Sequence, residues 1–234
     1  MTPTSYKVVC IPEFKKYPST EFDIEIFSYC LGEWNTYQVS CPQQVIWDYG
    51  LRKNLVISNG VTYWIEGRNR IIAYDVTDNN IKNGGHGCRL INLPEKKGDD
   101  KKYYECLGES EGFVSYSRCE NGELSVWLLE EDYLSRGWVW RLVHNIKIKD
   151  MILAENCDSW FMDKLASGEM VNLDTLAFNP VDPNVLILAY PISIIFAYNI
   201  RTRLLKVFVS YHHYLFVTYG AVPPLVLTPW PTTL

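Results

Sequence analysis

The residues that look most like chemistry are Gly108-Glu109-Ser110-Glu111-Gly112, which match the G-x-S-x-G turn that exposes a nucleophilic serine. His212, preceded by Asp174 or Asp182, would even supply the order serine, acid, histidine. That motif needs a strand before it and a helix after it, so that the serine is held on a strained turn. Here the next residues, Phe113-Val114-Ser115-Tyr116-Ser117, have a strand pattern, and the segment reads as a turn between two strands. A serine hydrolase resting on Ser110 is therefore the remote reading, and no catalytic residue is expected.

Other polar clusters read the same way. Glu130, Glu131 and Asp132 could form an acid and base pair or a hard-metal site, yet no glycine-spaced ligand loop surrounds them, and they read as a solvated loop tip. Gly84-Gly85-His86-Gly87 lacks the spacing of a phosphate cradle. Adjacent His212 and His213 would point to opposite faces of a strand and could not share one metal. No metal and no cofactor is expected. The 7 cysteines include no C-x-x-C pair, and several lie in apolar runs, so they read as reduced, buried thiols rather than a disulfide or zinc framework. With a net charge of -5 and both signs interspersed, the chain carries no footprint for nucleic acid or anionic membrane. The start of the chain lacks the basic then apolar order of a secretory signal, and the apolar run from Val185 to Ile200 is broken by Pro191 and Ser193. A cytoplasmic or nuclear protein with a protein partner is the expectation.

The elements that must position any site are strands. Composition is 47% apolar and 14% aromatic over 234 residues, enough for one large all-β domain. Short apolar or alternating runs bounded by Gly, Asn, Pro and Asp recur throughout, and they recur as a set. Inner apolar strands are expected at 6–11, 60–65, 112–117 and 185–190, followed by strands at 24–29, 71–76, 124–129 and 194–200. Outer strands are expected at 33–39, 88–93, 138–146 and 203–209, and innermost ones at 54–58, 103–107, 174–178 and 214–219. Taking Phe27, Tyr74, Trp127 and Tyr198 as equivalent gives a repeat of blade size with an insertion between Asn145 and Asp174. The fold expected is an all-β, partial β-propeller of about four four-stranded blades. Trp34 and Trp138 follow polar turns and are expected to brace outer strands against a neighbour, whereas Trp64 and Trp127 read as core. Trp160 and Phe161 lie in the insertion, where exposed aromatics can anchor a partner.

Linked motifs carry a resemblance. SYKVVCI, IEIFS with GEW beyond it, NGVTYWI, IIAYDV with INLP, LGESEGFVSYS and VLILAYPISIIFAYNI resemble, in order, the F-box-associated domain of plant F-box proteins, a kelch-like propeller. The resemblance covers about residues 5–210 and is assigned to the whole chain as one domain, 1–234. It implies a non-catalytic recognition module, similar to the part of a Skp-cullin-F-box ubiquitin ligase that holds the protein to be ubiquitinated. Met1 stands just ahead of the first strand, so the F-box and the opening blades are expected to be missing. Skp binding would then need an F-box supplied upstream or by another chain. The rival reading is a truncated member without ligase coupling, which competes for a partner or has no role. An incomplete ring would expose two sheet faces. Loops at 40–53, 94–102, 147–172 and 209–213, with 12–23, 66–70, 118–122 and 191–193, are expected to share the partner-binding face.

Overall fold

Asn59-Gly60, Glu111-Gly112 and Asn121-Gly122 each place two successive residues at positive φ, the conformation that twists a two-residue hairpin in the sense of its strands. These turns divide the apolar runs into antiparallel pairs. In the computed structural model the described residues are 6–10, 18–46, 55–66, 69–77, 87–95, 104–132, 137–153, 167, 173–190 and 194–210. They form four sheets that follow one another along the chain.

The first sheet contains β1 (Lys7–Cys10), β2 (Ser19–Ser28) and β3 (Glu33–Val45) in that order. The second runs β4 (Leu55–Ser58), β5 (Val61–Glu66), β6 (Arg70–Asp75) and β7 (Arg89–Asn92). The third runs β8 (Tyr104–Ser110), β9 (Phe113–Glu120), β10 (Glu123–Asp132) and β11 (Gly137–Lys147). A 3-10 turn at Ile148–Asp150 and a short β12 (Ile152–Leu153) come next. The last sheet is β13 (Asp174–Phe178), β14 (Val185–Tyr190), β15 (Ile194–Asn199) and β16 (Leu204–Ser210), with β12 added in parallel beside β16.

The expected all-β propeller architecture is what the chain adopts, with three refinements. The first sheet has three strands among the described residues, and the last has five. The extra length between Asn145 and Asp174 begins by lending β12 to the outer edge of the last sheet; the innermost strand expected at 214–219 lies outside the described residues. The proposed repeat is also offset in the third sheet. Tyr74 and Tyr198 stand opposite Thr62 and Leu186, the second residues of β5 and β14, whereas Trp127 stands opposite Tyr116, the fourth of β9. A shift of two residues keeps the same face of a strand, so the pattern survives it.

Neighbouring sheets bury apolar faces against each other. Phe22, Ile24, Ile26 and Val39 meet Trp64, Ile72 and Tyr74 across the first seam. Tyr63, Ile65 and Ile71 meet Leu107, Val114 and Leu129 across the second, and Leu124 and Val126 meet Phe178, Leu186 and Phe196 across the third. Each fully buried side chain of this size contributes about 1.5–3 kcal/mol. The inner sheets are therefore apolar on both faces. The first sheet is not: on β2, buried Phe22, Ile24 and Ile26 alternate with exposed Glu21, Asp23 and Glu25. Its far face is open and acidic, while the far face of the last sheet buries Val185, Ile187 and Ala197. Of the two sheet faces expected to be exposed, that of the first sheet is open, and that of the last sheet buries these residues.

The third seam is closed tightly by a glycine. A Cβ on Gly108 would overlap Cδ2 of the Phe178 ring, whereas one on Gly87 would meet nothing within 4 Å. Gly108→Ala is expected to cost about 1–3 kcal/mol and several degrees of melting temperature, because the ring must move out of a packed seam. Gly87→Ala, measured beside it in thermal unfolding, should change little. Equal effects of the two would show that the approach of Phe178 does not constrain Gly108.

Candidate partner-binding surface

At one end of the sheets, β4 and β8 each finish in serine before a two-residue turn: Ser58-Asn59-Gly60 and Ser110-Glu111-Gly112. Both serines are buried, and each donates across a seam to the corresponding turn of the next sheet. Ser58 Oγ donates to the Gly112 carbonyl at 2.8 Å, and Ser110 Oγ donates to the Asn179 carbonyl at 2.5 Å. The Glu111 N–H adds a bond to the Pro180 carbonyl at 3.2 Å. The G-x-S-x-G motif is thereby accounted for by packing: Gly108 admits Phe178, Ser110 seals the seam, and Gly112 completes the turn. β8 turns directly into β9, so Ser110 ends a strand that is followed by another strand and does not sit on the strand-to-helix elbow that would activate it.

At the opposite end, arginines do the same work for the connections between sheets. Arg70, beside the β5–β6 turn, donates Nε to Glu66 at 2.5 Å, one Nη to the Gln43 side chain at 2.6 Å and the other to the Gln44 carbonyl at 2.9 Å. The second oxygen of Glu66 accepts the Ile46 N–H at 3.1 Å. Buried together, the pair fixes the chain leaving the first sheet. In the third sheet Arg118 donates to the Pro94 and Glu95 carbonyls at 3.0 and 2.6 Å, fixing the chain that leaves the second. Its guanidinium carbon lies 5.2 Å from the Trp127 ring centre, and Nε is 3.5 Å from Glu120. These contacts hold the chain where it leaves the first and second sheets, at the end that also carries the β5–β6 and β9–β10 turns. β3 extends through Val45 and β2 begins at Ser19, so two of the loops expected there are shorter than 40–53 and 12–23.

Glu130, Glu131 and Asp132 lie in β10 and not in a turn, so they alternate between faces and do not converge. Glu130 accepts two bonds from Arg141 on β11, at 2.8 and 2.6 Å, which hold its carboxyl below its usual range. Among the described residues no group of three His, Cys, Asp or Glu side chains could hold a metal ion. Trp64 is buried core, and Trp127 packs between Arg118 and Tyr116. Trp138 braces β11 against the second sheet under Arg89. Trp34 is 53% exposed and packs on Phe27 of the adjoining strand β2, on the open face of the first sheet. Of the cysteines, Cys41, Cys88, Cys106 and Cys119 are buried as expected, but Cys10 and Cys30 are exposed. Burial pushes the Cys119 thiol up to about 11, and burial with the adjoining Glu105 raises the Tyr116 phenol further. Trp160, Phe161, His212 and His213 lie outside the described residues. Arg70 and Arg118 carried no motif, although an arginine within an apolar strand is itself a signal, because it must find a partner.

Comparison with known proteins adds three findings. Residues 3–204 match the family described as F-box protein At3g26010-like, beta-propeller. No curated protein matches the chain. Among solved structures, that of Saccharomyces cerevisiae Sqt1 is similar at 15% identity and a TM-score of 0.38, over 85% of this chain and 45% of that one. The chain thus spans under half the length of that structure.

Two substitutions test the seam. Ser110→Ala is expected to lower stability by about 1–3 kcal/mol, since the Asn179 carbonyl loses its donor, and a fluorophosphonate probe should not label Ser110 in the parent chain. Covalent labelling there would restore the hydrolase. Arg70→Met should cost about 3–5 kcal/mol by leaving Glu66 buried without its cation, and Glu66→Gln in the same chain should recover part of the loss. Denaturant unfolding measures both, and an unchanged midpoint for Arg70→Met would show that the pair does not lock the connection.

Proposed function

The chain belongs to the F-box protein At3g26010-like β-propeller family, and from that membership we propose that it is the target-holding module of a Skp-cullin-F-box type ubiquitin ligase. The observation that carries the proposal is the family match over residues 3–204. In this reading the chain contributes no catalysis of its own; it presents a target protein, and other subunits transfer ubiquitin. Skp is engaged only through an F-box supplied upstream or by another chain. What supports a protein partner is the scaffold: turns and connections rooted by buried hydrogen bonds can vary at their tips without disturbing the sheets. No helix of the described residues is long and apolar enough to cross a membrane. A cytoplasmic or nuclear site of action belongs to the same proposal.

We place the binding face at the end where Arg70 and Arg118 hold the chain, with Trp160 and Phe161 as its aromatic anchors. An interface anchor commonly costs about 2 kcal/mol or more on truncation. Trp160→Ala is therefore expected to reduce capture of the target at least tenfold, in quantitative affinity purification with the tagged chain, while the melting temperature stays within about a degree. An equal loss of stability would make Trp160 a packing residue, and unchanged capture would move the binding face elsewhere. Recovery of Skp by the chain in the absence of any F-box would contradict the proposed division of labour.

A further inference from the structure

Cys41 lies in β3, the outer strand of the first sheet, and Cys88 stands immediately ahead of β7, the outer strand of the second. Their sulfurs are 2.7 Å apart in the seam between the sheets, and each residue is 8% exposed. The main chain brings them together: the Cys88 N–H donates to the Ser40 carbonyl at 3.0 Å, and Ser40 and Gly87 form a parallel bridge. The separation is thus set by the register of two backbones. Neither residue is in a disulfide. Two non-bonded sulfurs ordinarily stay farther apart than this, and a disulfide closes at about 2.05 Å.

We propose that Cys41 and Cys88 form an oxidation site, a dithiol that a peroxide converts to a reversible disulfide linking the first sheet to the second. In the first step one thiolate of the pair, taken as that of Cys41, attacks one oxygen of hydrogen peroxide. The O–O bond breaks, the hydroxide released takes up the proton that Cys41 gave up, and Cys41 becomes a sulfenic acid. In the second step the Cys88 sulfur attacks the Cys41 sulfur; the S–S bond forms, the S–O bond breaks, and the second water leaves with the Cys88 proton. Two thiols lose two electrons and two protons in all, and one peroxide becomes two waters.

The two sulfurs share one hydrogen bond in which either thiol can donate, so either can be the first nucleophile and the other the resolving thiol, with the same disulfide as product. Cys119, by contrast, is buried in another seam, beneath the Leu173 N–H. The link would close a loop across a sequence separation of 47 residues that includes all of β4, β5 and β6.

The experiment oxidises the full chain with hydrogen peroxide, digests it without reduction and maps the peptides by mass spectrometry. The expected product joins the peptides of Cys41 and Cys88, about 2 Da below their summed mass, and dithiothreitol separates them again. The oxidised chain should melt about 5–10 °C above the reduced one, as a disulfide closing a long loop predicts. Cys41→Ser should abolish this difference while its reduced form keeps the parent's circular dichroism. The mapping of the unsubstituted chain decides the matter without any variant. Recovery of Cys41 and Cys88 as thiols or sulfinic acids, or joined to other cysteines, would overturn the proposal.

Discussion

The structure depends on seams. A small sheet that is apolar on both faces cannot stand in water, so it must be covered twice, and neighbouring sheets do the covering. Burial supplies the energy but not the alignment, because one greasy face slides over another with little preference. Hydrogen bonds at the ends of each seam supply the direction. Ser58 and Ser110 at one end, and Arg70 and Arg118 at the other, donate to carbonyls of the adjoining unit, and each bond ties one sheet to its neighbour at a single position. A carbonyl buried there without its donor costs about 1–3 kcal/mol, so each wrong alignment is penalised several times over.

The same bonds hold the chain where it passes from one sheet to the next. The chain is gripped by Arg70 where it leaves the first sheet and by Arg118 where it leaves the second. Arg70 illustrates the electrostatics: its charge is out of water, and it is tolerated because Glu66, Gln43 and a backbone carbonyl occupy its donors. Arg118 reaches the same end from a different strand position, with Trp127 beneath its guanidinium. The two sites are equivalent in their task and not in their register. The chain repeats a physical solution more faithfully than it repeats a motif.

The first sheet differs from the others in a way that is visible in one strand. Buried and exposed residues alternate along β2 as Phe22, Asp23, Ile24, Glu25, Ile26, whereas β5 and β6 are buried along nearly their whole length. Alternation is the mark of a sheet with one wet face, and continuous apolar residues mark a sheet covered on both. Carboxylates on the open face discourage other sheets from stacking there. Tyr6, Phe27, Tyr29 and Trp34 form an aromatic group beside them, with Tyr6 and Tyr29 stacked at 4.8 Å between ring centres.

By itself the sequence determined the strands, the turns between them and their grouping into four units. Those features are local: a two-residue turn needs positive φ, a covered strand needs unbroken apolar residues, and both are written within a few positions. Hence the strand expected at 174–178 coincides with β13, and that expected at 54–58 with β4 to within one residue. What only the tertiary structure decided is the use of each polar residue. Ser110 stands in a sequence that fits a nucleophile, and only the arrival of Asn179 from 69 positions away makes it a seam donor. Cys41 and Cys88 are ordinary buried thiols until two outer strands bring them together. Glu130 to Asp132 changed from loop to strand because β11 offered backbone partners through Gly137. For Ser110 and for the two cysteines the partner comes from another sheet, beyond the reach of any local pattern.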